Sequence, residues 1–293
     1  MDQRLTILSN PAAGGRRSSA ILEHLRSEHP SSRIITNDDP AGVRELVRDL
    51  DLEPKDTLLV LGGDGTIHQA VSGLFEASPD TLPALAILPC GSGNALAAAL
   101  GVKSKLIAEE TLRSGRLLPI DVAKVTTDSG TSHAINVVGW GLPARVTLLA
   151  EKMRSSRGLP YTRAALRVLL FGDIAAVNTH YDSSVEARDL MGLACLTPEA
   201  GGGMPIAPDA LLDDGEFDLV RVKPTSRLQL LLLFARLTQG WHLSARAVEH
   251  RRAQRLQIQF DEPRDIVVDG EMQITRALSI EVIPSALRVL TPR

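Results

Sequence analysis

The sequence predicts an α/β domain, a parallel-type sheet with helices, followed by a mainly antiparallel β-sandwich domain, with residues 1–118 in the first and 119–293 in the second. Three observations predict this division. Through about residue 118, short apolar runs alternate with helical patterns at the spacing of parallel βαβ units. Beyond it, short strand-like pieces follow one another with few helices between them, the mark of an antiparallel sheet or sandwich. Glycine-containing loops close three of the early strands, at the carboxyl edge where α/β sheets gather ligands. The last residues are free to return to the first domain.

Arg4 to Ser9 reads as a buried strand, and Asn10-Pro11-Ala12-Ala13-Gly14-Gly15 as a loop before a helix from about Arg17 to Glu28. Arg33 to Thr36 is a second strand, followed by a helix from Pro40 to Leu50, where proline suits the first turn. Thr57 to Leu61 is apolar or β-branched throughout and runs into Gly62-Gly63-Asp64-Gly65-Thr66, after which a helical pattern begins. A fourth strand, Ala84 to Leu88, ends in Pro89-Cys90-Gly91-Ser92-Gly93-Asn94 before the alanine-rich helix Ala95 to Leu100. In the second domain, Ile120 to Val125 and Ala134 to Val138 read as strands, and a basic helical section runs from Ala144 to about Gly172. Strand-like pieces follow at 185–187, 192–196, 216–222, 256–260, 266–268 and 278–282, interrupted by an amphipathic helix from about Ser226 to Leu243.

Composition narrows the function classes. Hydrophobic residues make up 44% and charged residues 23%, ordinary values for a globular chain, and the net charge of −3 offers nucleic acid no general attraction. Cys90 and Cys195 stand far apart without zinc or disulfide spacing, which fits a reducing compartment. No charged leader precedes a long apolar core, and the longest apolar run, Leu230 to Ala235, is too short to span a bilayer. A cytoplasmic protein is expected.

The Gly62 to Thr66 stretch carries the chemistry. Glycines let backbone approach a ligand closely, and the N–H groups that open a helix favour a phosphate. A carboxylate such as Asp64 beside phosphates repels them unless it holds a metal ion or receives a proton, and both roles belong to phosphoryl transfer. The common nucleotide signatures are absent: there is no G-x-x-x-x-G-K-[ST] loop, no protein-kinase catalytic loop, and Gly91-Ser92-Gly93-Asn94-Ala95-Leu96 lacks the last glycine of the dinucleotide fingerprint.

Taken in order, Asn10-Pro11 with Gly14, Gly62-Gly63-Asp64-Gly65-Thr66, Pro89-x-Gly91-Ser92-Gly93-Asn94, Asp214-Gly215-Glu216-Phe217-Asp218 and Val268-Asp269-Gly270-Glu271 resemble the diacylglycerol kinase catalytic-domain family, which includes bacterial lipid kinases and sphingosine kinases. The resemblance covers essentially the whole chain. It implies an α/β nucleotide-binding domain, a β-sandwich that binds lipid, and a site between them. By position it implies that Asn10, Thr36, Gly62, Gly63, Gly65, Thr66 and Ser92 line ATP, that Asp64 accepts or orients the proton of the lipid hydroxyl, and that Glu271 shares the base or metal role. Mg²⁺ would offset the charge of these acids, and Asp214 with nearby carbonyls would hold a mainly structural Mg²⁺. Arg154 and Arg163 resemble the family's phosphate-contacting arginines.

Each motif also has a plainer reading. Asp269-Gly270 and Asp214-Gly215 suit turns, a basic helix face suits solvent, and Leu228 to Phe234 suits a core-facing helix before a membrane-docking one. His68 and Trp140 read as packing or supporting residues. Departures bear on the acceptor. Gly91 to Ala97 is nearer the sphingosine kinases, yet Arg145 and Thr147 stand where those carry acids that recognise the lipid's amine and hydroxyl. An arginine there repels an ammonium group. Gln69 replaces a glutamate common in the family.

The expected activity is transfer of the γ-phosphate of ATP to a hydroxyl of a diacylglycerol-like or sphingoid-type lipid, met transiently at a membrane surface by a peripheral protein. A homodimer is compatible with the chain, and nucleic acid is not an expected partner. Two other readings stand beside it: a soluble-substrate kinase like the NAD kinases, which share the G-G-D-G turn, and a non-catalytic lipid-binding regulator suggested by Gln69 and Arg145.

Overall fold

The structure, a computed structural model, describes residues 4–10, 16–37, 42–77, 82–91, 93–153, 160–182 and 185–293. The chain divides into two compact units, Met1–Ile120 with Ser285–Arg293, and Asp121–Pro284.

The first unit is built from β1 (Leu5–Ser9), α1 (Arg16–Glu28), β2 (Arg33–Thr36), α2 (Gly42–Arg48), β3 (Thr57–Gly62), α3 (Asp64–Ala77), β4 (Ala84–Pro89), α4 (Ala95–Ala99) and α5 (Lys105–Ser114). The strands pair in parallel in the order β4-β3-β1-β2. Ile7, Leu8, Leu58, Val60, Leu61, Leu85 and Leu88 are fully or almost fully buried, as expected for strands of a parallel sheet covered on both faces. At the amino ends of the strands, Arg4 reaches across to the buried Asp56, with Nε at 3.2 Å and Nη2 at 2.9 Å from its carboxylate. Burial raises the Asp56 carboxyl, but the hydrogen bonds and charge of Arg4 and the Glu53 N–H pull it further the other way, leaving it below its ordinary value.

Two strands pass from one unit to the other: β5 (Arg116–Thr127) carries the chain out, and β14 (Glu271–Thr291) brings it back. The returning end pairs in parallel with β4 at Val289 and Leu85, while Arg288 donates to the carbonyls of Pro54 at 2.6 Å and Leu82 at 3.1 Å.

The second unit contains β6 (Gly130–Ala134), β7 (Val137–Gly141), α6 (Leu142–Lys152), α7 (Pro160–Phe171), β8 (Val177–Tyr181), β9 (Val185–Asp189), β10 (Met191–Cys195), β11 (Phe217–Val222), α8 (Arg227–Leu237), β12 (Val248–Ala253) and β13 (Arg255–Val268). Its pairs are antiparallel in the order β12-β11-β10-β7-β13-β14. β14 follows one edge of β13. The other edge is shared, with β8 pairing near Ile258 and β7 near Val267, and a register shift between Gln259 and Arg264 separates the two halves. A bulge of this kind bends the strand and lets it serve two layers. Trp140, Phe217, Phe260, Ile266 and Ile280 fill the core that results. Within this unit Asp189, fully buried, accepts from Arg221 Nη2 at 2.9 Å, Thr179 Oγ1 at 3.1 Å and the Tyr181 hydroxyl, and the Arg221 guanidinium stacks 4.1 Å above the Tyr181 ring.

Several elements differ from the sequence expectation. The helical section from Ala144 to Gly172 is two helices, α6 and α7, and Ala134 to Val138 belongs to two strands, β6 and β7. Residues 256–268 form one long strand, and β8, β12 and α5 are additional elements. The expected helix start at Pro40 lies outside the described residues.

Candidate functional site

The buried strand β3 delivers the chain into a turn with no room for side chains. A Cβ on Gly63 would stand 2.9 Å from the Gly91 Cα, and one on Gly91 would stand 2.6 Å from the Gly63 Cα, so the loops after β3 and β4 touch backbone to backbone. A Cβ on Gly62 would meet Thr66 at 2.6 Å. Gly65 is different: nothing lies within 4 Å of a Cβ placed there, so no packing requires that glycine. Gly65 sits in the first turn of α3, where an α-helix leaves its opening N–H groups without intrahelical partners.

Asp64 is the first residue of α3. Its Oδ1 accepts the Ala95 N–H at 2.8 Å, which ties it to the start of α4. Asn94, in the left-handed region at φ 54°, closes the intervening loop by accepting the Gly91 N–H at 3.0 Å and donating to the Gly91 carbonyl at 2.8 Å. The Cys90 N–H reaches the Gly62 carbonyl at 2.8 Å. Asn94 is thus the organiser of the loop, a role that the sequence reading does not assign to it; its place three residues after a glycine, just before a helix, is the available signal.

The strand order places this turn at a switch point. From β1 the chain steps to β2 on one side, then returns to β3 on the other, and the crevice at the carboxyl ends of β1 and β3 is where such sheets bind ligands. Asn10 lies there, buried, its N–H 3.3 Å from the Leu61 carbonyl. Thr36 ends β2, paired in register with Ser9 and exposed. The structure therefore brings Asn10, Gly62, Gly63, Asp64, Gly65 and Thr66 to one edge, with Thr36 on the adjoining strand. Ser92, Arg154 and the loop residues after Asn10 lie outside the described residues. His68 and Gln69 are buried in α3 behind the turn.

In the second unit the expected site residues are more scattered. Asp269-Gly270 forms the hairpin turn between β13 and β14, with φ 48° and 97°. The Asp269 carboxylate accepts three backbone N–H groups, those of Ile135, Asn136 and Val137, at 2.8–2.9 Å. Glu271, partly exposed, follows this clamped turn as the first residue of β14. The Tyr161 hydroxyl lies 3.7 Å from where a Gly270 Cβ would be, so the first turn of α7 abuts the same hairpin. Trp140 is fully buried, and a Cβ on Gly192 would collide with its indole, which establishes it as a packing residue.

Arg145 and Thr147 do not share a surface. Two residues apart on α6, they face different ways: Thr147 is buried, while Arg145 is partly exposed and pairs with Asp173 at 3.3 Å. Arg163 stands on the exposed side of α7 and lines a groove of about 500 Å³ with Leu166, Arg167, Leu170 and Phe171. Asp214 accepts the Glu216 N–H at 3.1 Å and has Arg252 at 3.5 Å, while neighbouring Asp121 accepts the Gly215 N–H at 2.6 Å.

No group of three or more His, Cys, Asp or Glu side chains among the described residues could hold a metal ion. A Mg²⁺ ion carried on a nucleotide would take one or two carboxylates and otherwise phosphate and water oxygens, and Asp64 is the carboxylate that this turn could offer it. At Asp214, a cation would compete with Arg252 for the same charge.

Residues 4–125 match the family described as "Diacylglycerol kinase catalytic domain", and residues 136–291 match "YegS C-terminal NAD kinase beta sandwich-like domain". A diacylglycerol kinase of Bacillus subtilis (strain 168) is 30% identical over 74% of this chain and 71% of its own length. A diacylglycerol kinase of Mycobacterium tuberculosis (strain CDC 1551 / Oshkosh) is 26% identical, covering 99% of this chain and 96% of its own. A crystal structure described as a diacylglycerol kinase from Bacillus anthracis str. Sterne superposes with a TM-score of 0.76 over 99% of this chain and 97% of that chain, at 22% identity.

Proposed function

Since the chain belongs to the diacylglycerol kinase family of lipid kinases, we propose that it transfers the γ-phosphate of ATP to the primary hydroxyl of a diacylglycerol-like or related long-chain lipid. The observation that carries this reading is the turn after β3, where a carboxylate, Asp64, and the opening N–H groups of α3 occupy one edge at a sheet switch point.

The donor's phosphates lie on the N–H groups of Gly63 to Thr66, with Gly65 leaving room for them. The lipid oxygen attacks the γ-phosphorus, the bond from γ-phosphorus to the bridging oxygen breaks, ADP leaves, and Asp64 receives the hydroxyl proton. Its hydrogen bond from Ala95 holds the carboxylate in position for this task. Asn10 and Thr36 line the nucleotide, joined by Ser92 and Arg154 as the resemblance implies. The resemblance implies Glu271 as a second acid; within its own unit it follows a hairpin whose Asp269 carboxylate accepts three backbone N–H groups. Bound Mg²⁺ supplies charge neutralisation at the phosphates.

The resemblance favours a lipid acceptor without an amine, because Arg145, paired here with Asp173, stands where sphingosine kinases carry an acid that recognises the amine. The test is lipid-dependent ADP release by purified protein with Mg-ATP and a panel of mixed-micelle lipids. Release with a diacylglycerol and its loss in Asp64→Asn are expected; no lipid-dependent release, or undiminished release from the variant, overturns the proposal. Because the second match carries the words NAD kinase, NAD belongs in the panel, and its phosphorylation in preference to lipid would point to the soluble-substrate reading.

A further inference from the structure

We propose that the outer face of α7, extended by α8, is a docking surface for an anionic lipid bilayer. Arg163, Leu166, Arg167, Leu170 and Phe171 recur at i, i+3, i+4, i+7 and i+8 of α7, and all five are exposed. The complementary positions, Ala164, Ala165, Val168 and Leu169, are buried. The helix is therefore apolar on two sides, and only one of them meets the protein core. Phe171 is 82% exposed. On α8, Leu230 is the buried residue, whereas Leu228 and Leu232, one turn apart, are 68% and 57% exposed. Six of the eleven exposed large apolar side chains among the described residues lie on α6, α7 and α8, a concentration that marks an interaction face.

Charge selects the occupant. The segments of α7 and α8 contain four arginines, Arg163, Arg167, Arg227 and Arg236, and no Asp or Glu, in a chain whose net charge is −3. Apolar side chains flanked by arginines suit the boundary between acyl chains and acidic headgroups, where guanidinium groups reach the phosphates and Leu and Phe enter below them. Arg227 keeps the two helices together by donating to the Leu169 carbonyl at 2.6 Å and the Gly172 carbonyl at 2.9 Å, the exposed end of α7. The other end of α7, at Tyr161, abuts the hairpin that precedes Glu271. Docking through this face would bring that hairpin's helix to the lipid surface.

The inference rests on the lipid-kinase reading only for the choice of lipid as ligand, and its test needs no ATP. Full-length protein is sedimented with phosphatidylcholine vesicles with and without phosphatidylglycerol, at low and high salt. Wild type should bind the anionic vesicles more tightly, and salt should weaken that binding. Leu166→Gln/Leu170→Gln/Phe171→Gln should lower vesicle affinity at least about tenfold, and Arg167→Glu about tenfold on anionic vesicles only. These positions are exposed, so melting temperatures should match wild type, and turnover of lipid in detergent micelles should be retained. Wild-type vesicle affinity in the triple variant overturns the proposal. So does a change of oligomeric state by light scattering with unchanged vesicle binding, which would assign the face to a second copy of the chain. Vesicle binding by a wild type that phosphorylates no lipid upholds this inference and overturns the kinase reading instead.

Discussion

Of the three Asp-Gly dipeptides in the chain, Asp64-Gly65 after a parallel strand and Asp269-Gly270 between two antiparallel ones have opposite fates. Asp269 turns a hairpin and gives its carboxylate to three backbone N–H groups, so its charge is consumed by architecture. Asp64 opens a helix and accepts the Ala95 N–H through one oxygen. The segment after the glycine decides the difference. A strand must reverse direction and needs the left-handed pair, whereas a helix continues and leaves the acid at its positive end.

Substitution of the two acids should separate these fates most sharply. Asp64→Asn should lower lipid-dependent turnover by at least about 10²-fold while its melting temperature stays near wild type, because the amide oxygen still accepts from Ala95. Asp269→Ala should instead cost about 3 kcal/mol or more of stability, measured by denaturant unfolding, since it leaves buried N–H groups without an acceptor. A stable Asp269 variant with normal unfolding would break the comparison.

The glycines extend it. Gly91→Ala forces a methyl group against the Gly63 backbone and should cost about 2 kcal/mol. Gly65→Ala meets no protein atom, so stability should change by less than about 1 kcal/mol while KM for ATP rises about tenfold. Equal losses of stability in the two variants would show that Gly65 serves packing after all.

Acid titration gives the smallest effect. Arg4 and the Glu53 N–H hold Asp56 below its ordinary value, against the pull of burial, so its contribution is fully present above the ordinary carboxylate range and is lost as pH falls through the folded value. Arg4→Ala should lower stability slightly at neutral pH and should move the onset of acid unfolding upward, as followed by circular dichroism. An unchanged acid limb would remove Asp56 from the account.

The range of each interaction governs how much of the molecule is readable from residue order. The β3 turn is local chemistry, and its glycines and acid announce it. The parallel sheet's strands are short, largely apolar runs and equally plain. β8, with Asn178 and His180, and β12, with Glu249, His250, Arg251 and Arg252, carry polar patterns that become strands only because distant partners on β13 and β11 pair with them. The contact between Asp64 and Ala95 spans 31 residues, and nothing near either one signals it. For Arg145 and Thr147 the signal is local: an i, i+2 spacing on a helix already places them on different faces.

The return of β14 to the first sheet bears on how the protein comes into being during synthesis. Arg288 and Val289, which bind Pro54, Leu82 and Leu85, are made only after the whole of 121–284 has been translated. The early strands can pair while the ribosome is still working, but their edge at β4 waits for a segment that does not yet exist. Completion of the first unit is therefore a late event, and a nascent chain arrested within the second unit carries an open strand edge that a chaperone or another nascent chain could occupy.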